Sequence, residues 1–226
     1  EREAIATLLV EIYAPRLAEL GLDPGAGECA SQDTQQRLLR TSLARLLATD
    51  AQHEPTVRVL ADAARRSLED PKALDPEFRP IAWAVGVREL GPGFAEEMTS
   101  RVLTSENAAD RQAAAGALGA SLDPGASAAV LELAMRPDVR INELGAIVFQ
   151  QLGQPETREA AWTWLLSNFD RMREKLPGFA QDYVYATPSS FCDATLRESA
   201  KSVLDKGVAE KHVGSLRAAR TLESID

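Results

Sequence analysis

Residues 124–155 read PGASAAVLELAMRPDVRINELGAIVFQQLGQP, a unit that starts on one proline and ends on the next. In its second half Ile141, Leu144, Val148, Phe149 and Leu152 recur at the three- and four-residue intervals that line one face of an α-helix. Proline is harmless in a helix's first turn, where its missing N–H would be unpaired anyway. The unit therefore reads as two helices, 124–135 and 139–153, opened by Pro124 and followed at once by another helix from Pro155.

The same punctuation extends along the chain. Pro55, Pro92, Pro124, Pro155 and Pro188 lie 37, 32, 31 and 33 residues apart, each just before an apolar-periodic stretch. Pro24 lies 31 residues before Pro55, but the glycines around it mark a loop. Near the start, Ile5, Leu8, Leu9, Ile12 and Leu17 suggest another one-faced helix, whereas residues 81–87 are apolar nearly all round, as expected of a helix packed on two sides. Helices are expected near 1–21, 32–49, 54–69, 76–90, 92–104, 107–121, 124–135, 139–153, 155–175, 189–206 and 208–225. A helix-turn-helix unit of this length cannot bury its apolar face alone and must stack on its neighbours. The fold class is all-α: a HEAT-like α-solenoid of antiparallel helix pairs with a concave face, about eleven helices in one domain spanning residues 1–226. Residues 176–190, with Pro177-Gly178, Tyr183, Tyr185 and Thr187-Pro188, read as an aromatic-bearing loop, where function is expected to concentrate.

Composition agrees. There are 37 alanines, and only five of the 25 basic residues are lysines. A net charge of −9 argues against nucleic acid or an anionic membrane as partner, because phosphate contacts need clustered cations. No stretch approaches the roughly 18 uninterrupted apolar residues of a membrane span. The start at Glu1 inside a helical pattern suggests a piece of a longer chain. Cys29 and Cys192 read as free thiols in a reducing, cytoplasmic setting.

Catalytic patterns are sparse. A helical zinc motif needs two histidines one turn apart, and this chain has His53 and His212, read as a helix-start residue and a solvated side chain. Cys192 has no histidine near it in sequence. Nucleophile elbows, phosphate loops and dinucleotide fingerprints do not occur. Trp162, Leu165, Leu166, Phe169 and Met172 read as a core stripe, and Arg79, Arg88, Arg111, Arg140 and Arg158 as surface salt-bridge partners, with a carboxylate-facing role as the alternative.

The stretch Pro155-Glu156-Thr157-Arg158-Glu159-Ala160-Ala161-Trp162, continuing to Asn168-Phe169-Asp170, resembles the Arg-Glu-x-Ala-Trp and Asn-Trp-Asp signature of the C-terminal helical domain of aminopeptidase N-like zinc metallopeptidases, with Phe169 in place of the second Trp. Ile12-Tyr13-Ala14-Pro15 with Leu20-Gly21, Pro80-Ile81-Ala82-Trp83-Ala84-Val85, and Arg220-Thr221-Leu222-Glu223-Ser224-Ile225 extend the resemblance over essentially the whole chain. It implies a HEAT-like domain whose concave side closes over the zinc site of a neighbouring catalytic domain in the same polypeptide and selects short peptide substrates. The family's His-Glu-x-x-His and Gly-x-Met-Glu-Asn motifs are absent, so the resemblance assigns no catalytic residue and no metal ligand to this chain; zinc belongs to the parent enzyme. It points instead to Gln181, Asp182 and Tyr183 as cavity- or substrate-facing, an acidic Asp182 departing from the basic residue sought there. The alternative is a stand-alone helical-repeat scaffold that binds a protein or peptide partner.

Overall fold

The computed structural model describes residues 2–25, 33–191 and 194–225, with the side chains of residues 179, 180, 182, 183, 190, 194 and 195 outside that description. All regular elements among the described residues are helical, and none is long and apolar enough to cross a membrane. The chain forms two compact units, Glu1–Ser121 and Leu122–Asp226.

The first unit contains α1 (Arg2–Leu20), α2 (Thr34–Arg45), α3 (Glu54–Glu69), α4 (Arg79–Glu89), α5 (Pro92–Thr104) and α6 (Ala108–Gly119). Helix α1 packs on α2, α3 on α4, α4 on α5 and α5 on α6, and α4 also packs on α6, the neighbour-on-neighbour pattern of a helical repeat. Local chemistry sets the ends. Asp33 accepts from the Gln36 amide at 2.8 Å to cap α2, and Asn107 accepts from Ala109 at 2.9 Å to cap α6. Gly91 takes φ 79, a left-handed conformation open to glycine, and Pro92 then starts α5.

Helix α4 is the centre of this unit. Every residue from Ile81 to Val87 is buried, matching its all-round apolar sequence, because α3, α5 and α6 all lie against it. The Trp83 indole N–H donates to Ser67 Oγ at 2.9 Å, and that hydroxyl donates to the Ala64 carbonyl at 2.7 Å, so a buried indole keeps its partner. The guanidinium groups of Arg79 and Arg101 stand over the Trp83 ring at 5.7 and 5.1 Å. Buried Ala113, Ala114, Ala115 and Ala117 on α6 leave room for close approach.

Two expectations need correction here. The segment read as one helix over 32–49 changes pitch: α2 ends at Arg45 and Leu46–Asp50 winds as a π turn, with the Ala51 amide donating to the Leu46 carbonyl at 3.1 Å. And α1 is not one-faced. Only Leu17 is buried in it, while Ile5, Leu8 and Ile12 are about half exposed.

The second unit contains α7 (Pro124–Ala134), α8 (Ile141–Gly153), α9 (Pro155–Lys175), α10 (Gly178–Ala186), α11 (Ala194–Ala209) and α12 (Ser215–Glu223). A buried polar network joins the first three: Ser127 Oγ of α7 donates to Gln151 Oε1 of α8 at 2.7 Å, and Thr157 Oγ1 of α9 donates to the Gln151 carbonyl at 2.7 Å. On α8 the buried apolar set is Leu144, Ile147, Val148 and Leu152, and Ile141 and Phe149 turn outward.

The stretch 176–190 is not a loop. Pro177 and Thr187-Pro188 bound a helical segment whose Val184 and Tyr185 are buried, and the flanking prolines disguise it in sequence. Pro188 opens only a 3-10 turn, Thr187–Ser190, so α11 starts at Ala194 rather than at 189.

Two glycine substitutions separate packing from propensity. A Cβ at Gly86 would lie 2.6 Å from the buried Phe94 ring and 3.1 Å from Ala64 Cβ, whereas one at Gly116 meets nothing within 4 Å. Gly86→Ala is expected to destabilise by about 1–3 kcal/mol and Gly116→Ala to stabilise by up to about 1 kcal/mol, read from urea unfolding midpoints of the two variants.

Candidate functional site

Within the second unit, α9, α10 and α11 enclose a cavity of about 330 Å³ lined by Asn168, Phe169, Arg171, Arg173, Tyr185 and Lys206 among others. Its floor is apolar. Tyr185 is 2% exposed, meets Phe169 edge to face at 5.0 Å, and rests on Gly207, where a Cβ would come within 2.3 Å of the Tyr185 ring. Leu204, Val213 and Ala218 complete this cluster. Deeper, the Trp162 indole donates to Ser199 Oγ at 2.7 Å and meets Phe191 edge to face at 5.1 Å, which fastens α11 to α9.

The rim is charged. Arg173 contacts a His212 ring nitrogen and lies 3.9 Å from both Glu210 and Asp170, and His212 Nδ1 lies 3.1 Å from Glu210. A half-buried His212 held between these groups replaces the solvated side chain expected, because the end of α9 carries Arg173 to the turn after α11. Arg171 reaches Glu132 of α7 at 3.4 Å, and the Trp164 indole donates to the same carboxylate at 2.9 Å. These hydrogen bonds, Trp164's first and then Arg171's, hold the Glu132 carboxyl below the usual carboxylate range. Lys175 donates to the Ala134 carbonyl at 3.0 Å and to that of Arg136, capping the C-terminus of α7, and burial pushes its ammonium down.

Of the three sequence-derived site residues, only the side chain of Gln181 is among those described. Gln181 is half-buried and spends its side-chain amide on the Leu176 carbonyl at 3.2 Å, and it is not among the cavity-lining residues. Asp182 and Tyr183 lie on α10, and their side chains are outside the described residues, as are Cys29 and Cys192 altogether. The stripe on α9 is core at Trp162, Leu165 and Met172, while Leu166 is exposed and Phe169 lines the cavity. The arginines work inside the fold. Arg88 donates to the Ala120 carbonyl at 2.8 Å and Arg158 to those of Leu152 and Gly153 at 3.0 and 2.9 Å, each closing a helix C-terminus, and Arg79 pairs with Asp110. His53 Nδ1 sits 2.9 Å from Thr56 Oγ1 at the start of α3. Tyr185 escaped the sequence reading as a site residue; its signal is Gly207, a glycine inside a helical pattern that marks close approach.

The sequence profile of the ERAP1-like C-terminal domain matches residues 1–226. The chain belongs to that family. An ERAP1-like C-terminal domain is a helical-repeat fold typical of M1 zinc aminopeptidases and is normally part of a larger enzyme. No curated protein matches this chain. Among the described residues no three His, Cys, Asp or Glu side chains are placed together to hold a metal ion.

Because the Glu132 carboxyl is held low, its stabilising contribution is complete above its ordinary value of 4.5 and disappears as pH falls through the lower folded value. Half exposure and salt keep it small. Glu132→Gln is expected to lower the melting temperature at pH 7, with the gap to the parent protein narrowing by pH 3 and in high salt, as followed by circular dichroism.

Proposed function

We propose that this ERAP1-like domain is the C-terminal part of a zinc aminopeptidase that removes N-terminal amino acids from peptides, and that it caps the active-site chamber and governs which peptides enter. The match to the family over all 226 residues carries this reading. Residues 1–226 act as one helical-repeat domain within a longer polypeptide. Its partners are the catalytic domain of that polypeptide, which holds the zinc, and the peptide substrate. A rigid wall over the chamber excludes folded proteins and bulk water, and water exclusion strengthens electrostatics at the covered metal. Movement of the wall gates exchange. The α10 segment with Gln181, Asp182 and Tyr183 is assigned to the substrate side. The compartment is the cytoplasm, with Cys29 and Cys192 reduced.

The test is removal of residues 1–226 from the parent polypeptide, followed by cleavage of a peptide series of increasing length. Loss of length discrimination, with zinc retained by the remaining part, is the expected outcome. A soluble truncated protein with unchanged length preference would overturn the reading and favour the scaffold. With aminopeptidase substrate and added zinc, the 226-residue chain alone is expected to show no turnover.

A further inference from the structure

The exposed side of α1 runs against the usual division of a surface helix. Ile5, Leu8 and Ile12, at spacings of three and four, share one side of the helix and are 52%, 53% and 53% exposed. The opposite side carries Leu17, the helix's one buried residue among those described. The outermost helix of a repeat array ordinarily presents a polar face, whereas here that side is aliphatic from Ile5 to Ile12 and turns charged only at the Arg16–Glu19 ion pair. On α2, which packs against α1, Leu38 is 61% and Leu39 40% exposed.

We infer that the Ile5–Leu8–Ile12 face of α1 is the docking surface for the domain that precedes α1 in the parent polypeptide. This rests on the proposed function, and it names the surface through which the cap is fixed. The family's domain is C-terminal and normally part of a larger aminopeptidase, so its members carry polypeptide leading into this helix. A tethered partner meets α1 at high effective concentration, and a small apolar contact then suffices. A second, untethered copy of this chain is a poorer occupant. Three half-exposed aliphatic side chains supply much less than the roughly 800 Å² per partner of a stable independent interface.

The experiment uses the full parent polypeptide carrying Ile5→Gln, Leu8→Gln and Ile12→Gln together; glutamine preserves helix propensity while removing the apolar face. Backbone amide hydrogen exchange is measured in α1 and in α4, with Leu216→Gln on the exposed side of α12 as control. Exchange in α1 is expected to accelerate by about tenfold or more with α4 unchanged, and the control to leave both alone. If the triple variant also loosens α4, the single Leu8→Gln variant is read by the same criterion. Acceleration in α1 within about twofold of the unaltered polypeptide overturns the inference, as does protection that depends on protein concentration, which would assign the face to a second copy. The peptide-length assay separates the two ideas: if length discrimination depends on this domain while α1 exchange is unmoved, the docking inference alone falls.

Discussion

The approach of three helices to α4 is the contact that the first unit is built around. Its residues Ala82, Ala84 and Gly86 are small enough to let neighbouring backbones come near, and Trp83 between them fills the larger gap. Small residues alone would leave an underfilled seam, and large ones alone would hold the helices apart. The indole nitrogen adds a demand that Ser67 meets, so burial of the largest side chain leaves no polar atom stranded. Arg79 and Arg101 over the ring finish the arrangement by covering an aromatic face with cations that Asp110 and Glu97 balance.

The second unit solves the same problem with different residues. Tyr185 against Gly207 repeats the pairing of a large ring with a glycine, and Trp162 with Ser199 repeats the buried indole with a hydroxyl. What differs is the polar content. Ser127, Gln151 and Thr157 join α7, α8 and α9 through buried hydrogen bonds, whose directionality fixes register where apolar contact would tolerate sliding. Three cations are committed to helix ends: Arg88, Arg158 and Lys175 each neutralise carbonyls that a helix C-terminus leaves open. In the first unit Arg40 shows the cost of burying such a group. It is 1% exposed over Phe78, its Nε and Nη1 have no hydrogen-bond partner, and burial lowers its pKa against the pull of Asp75, Glu77 and Asp23.

Arg79, Arg88, Arg101, Arg158 and Lys175 are thus spent on architecture. The mixed apolar and charged lining around Tyr185 is the kind of concave surface that can receive a ligand.

Spacing alone determined the helical class, the proline-opened starts at Pro55, Pro92, Pro124 and Pro155, and the full burial of residues 81–87, because helix periodicity and proline's missing N–H act within a few residues of chain. The family signature around Trp162 was legible for the same reason. Tertiary structure alone decided which of two possible faces of α1 is buried, that 178–186 is a helix, and that Tyr185 lines a cavity of the second unit. Those outcomes depend on side chains far apart in sequence: Gly207 makes room for Tyr185, and Arg173 takes up His212. Periodicity shows that a face is apolar, but only the neighbouring helices determine whether it is covered.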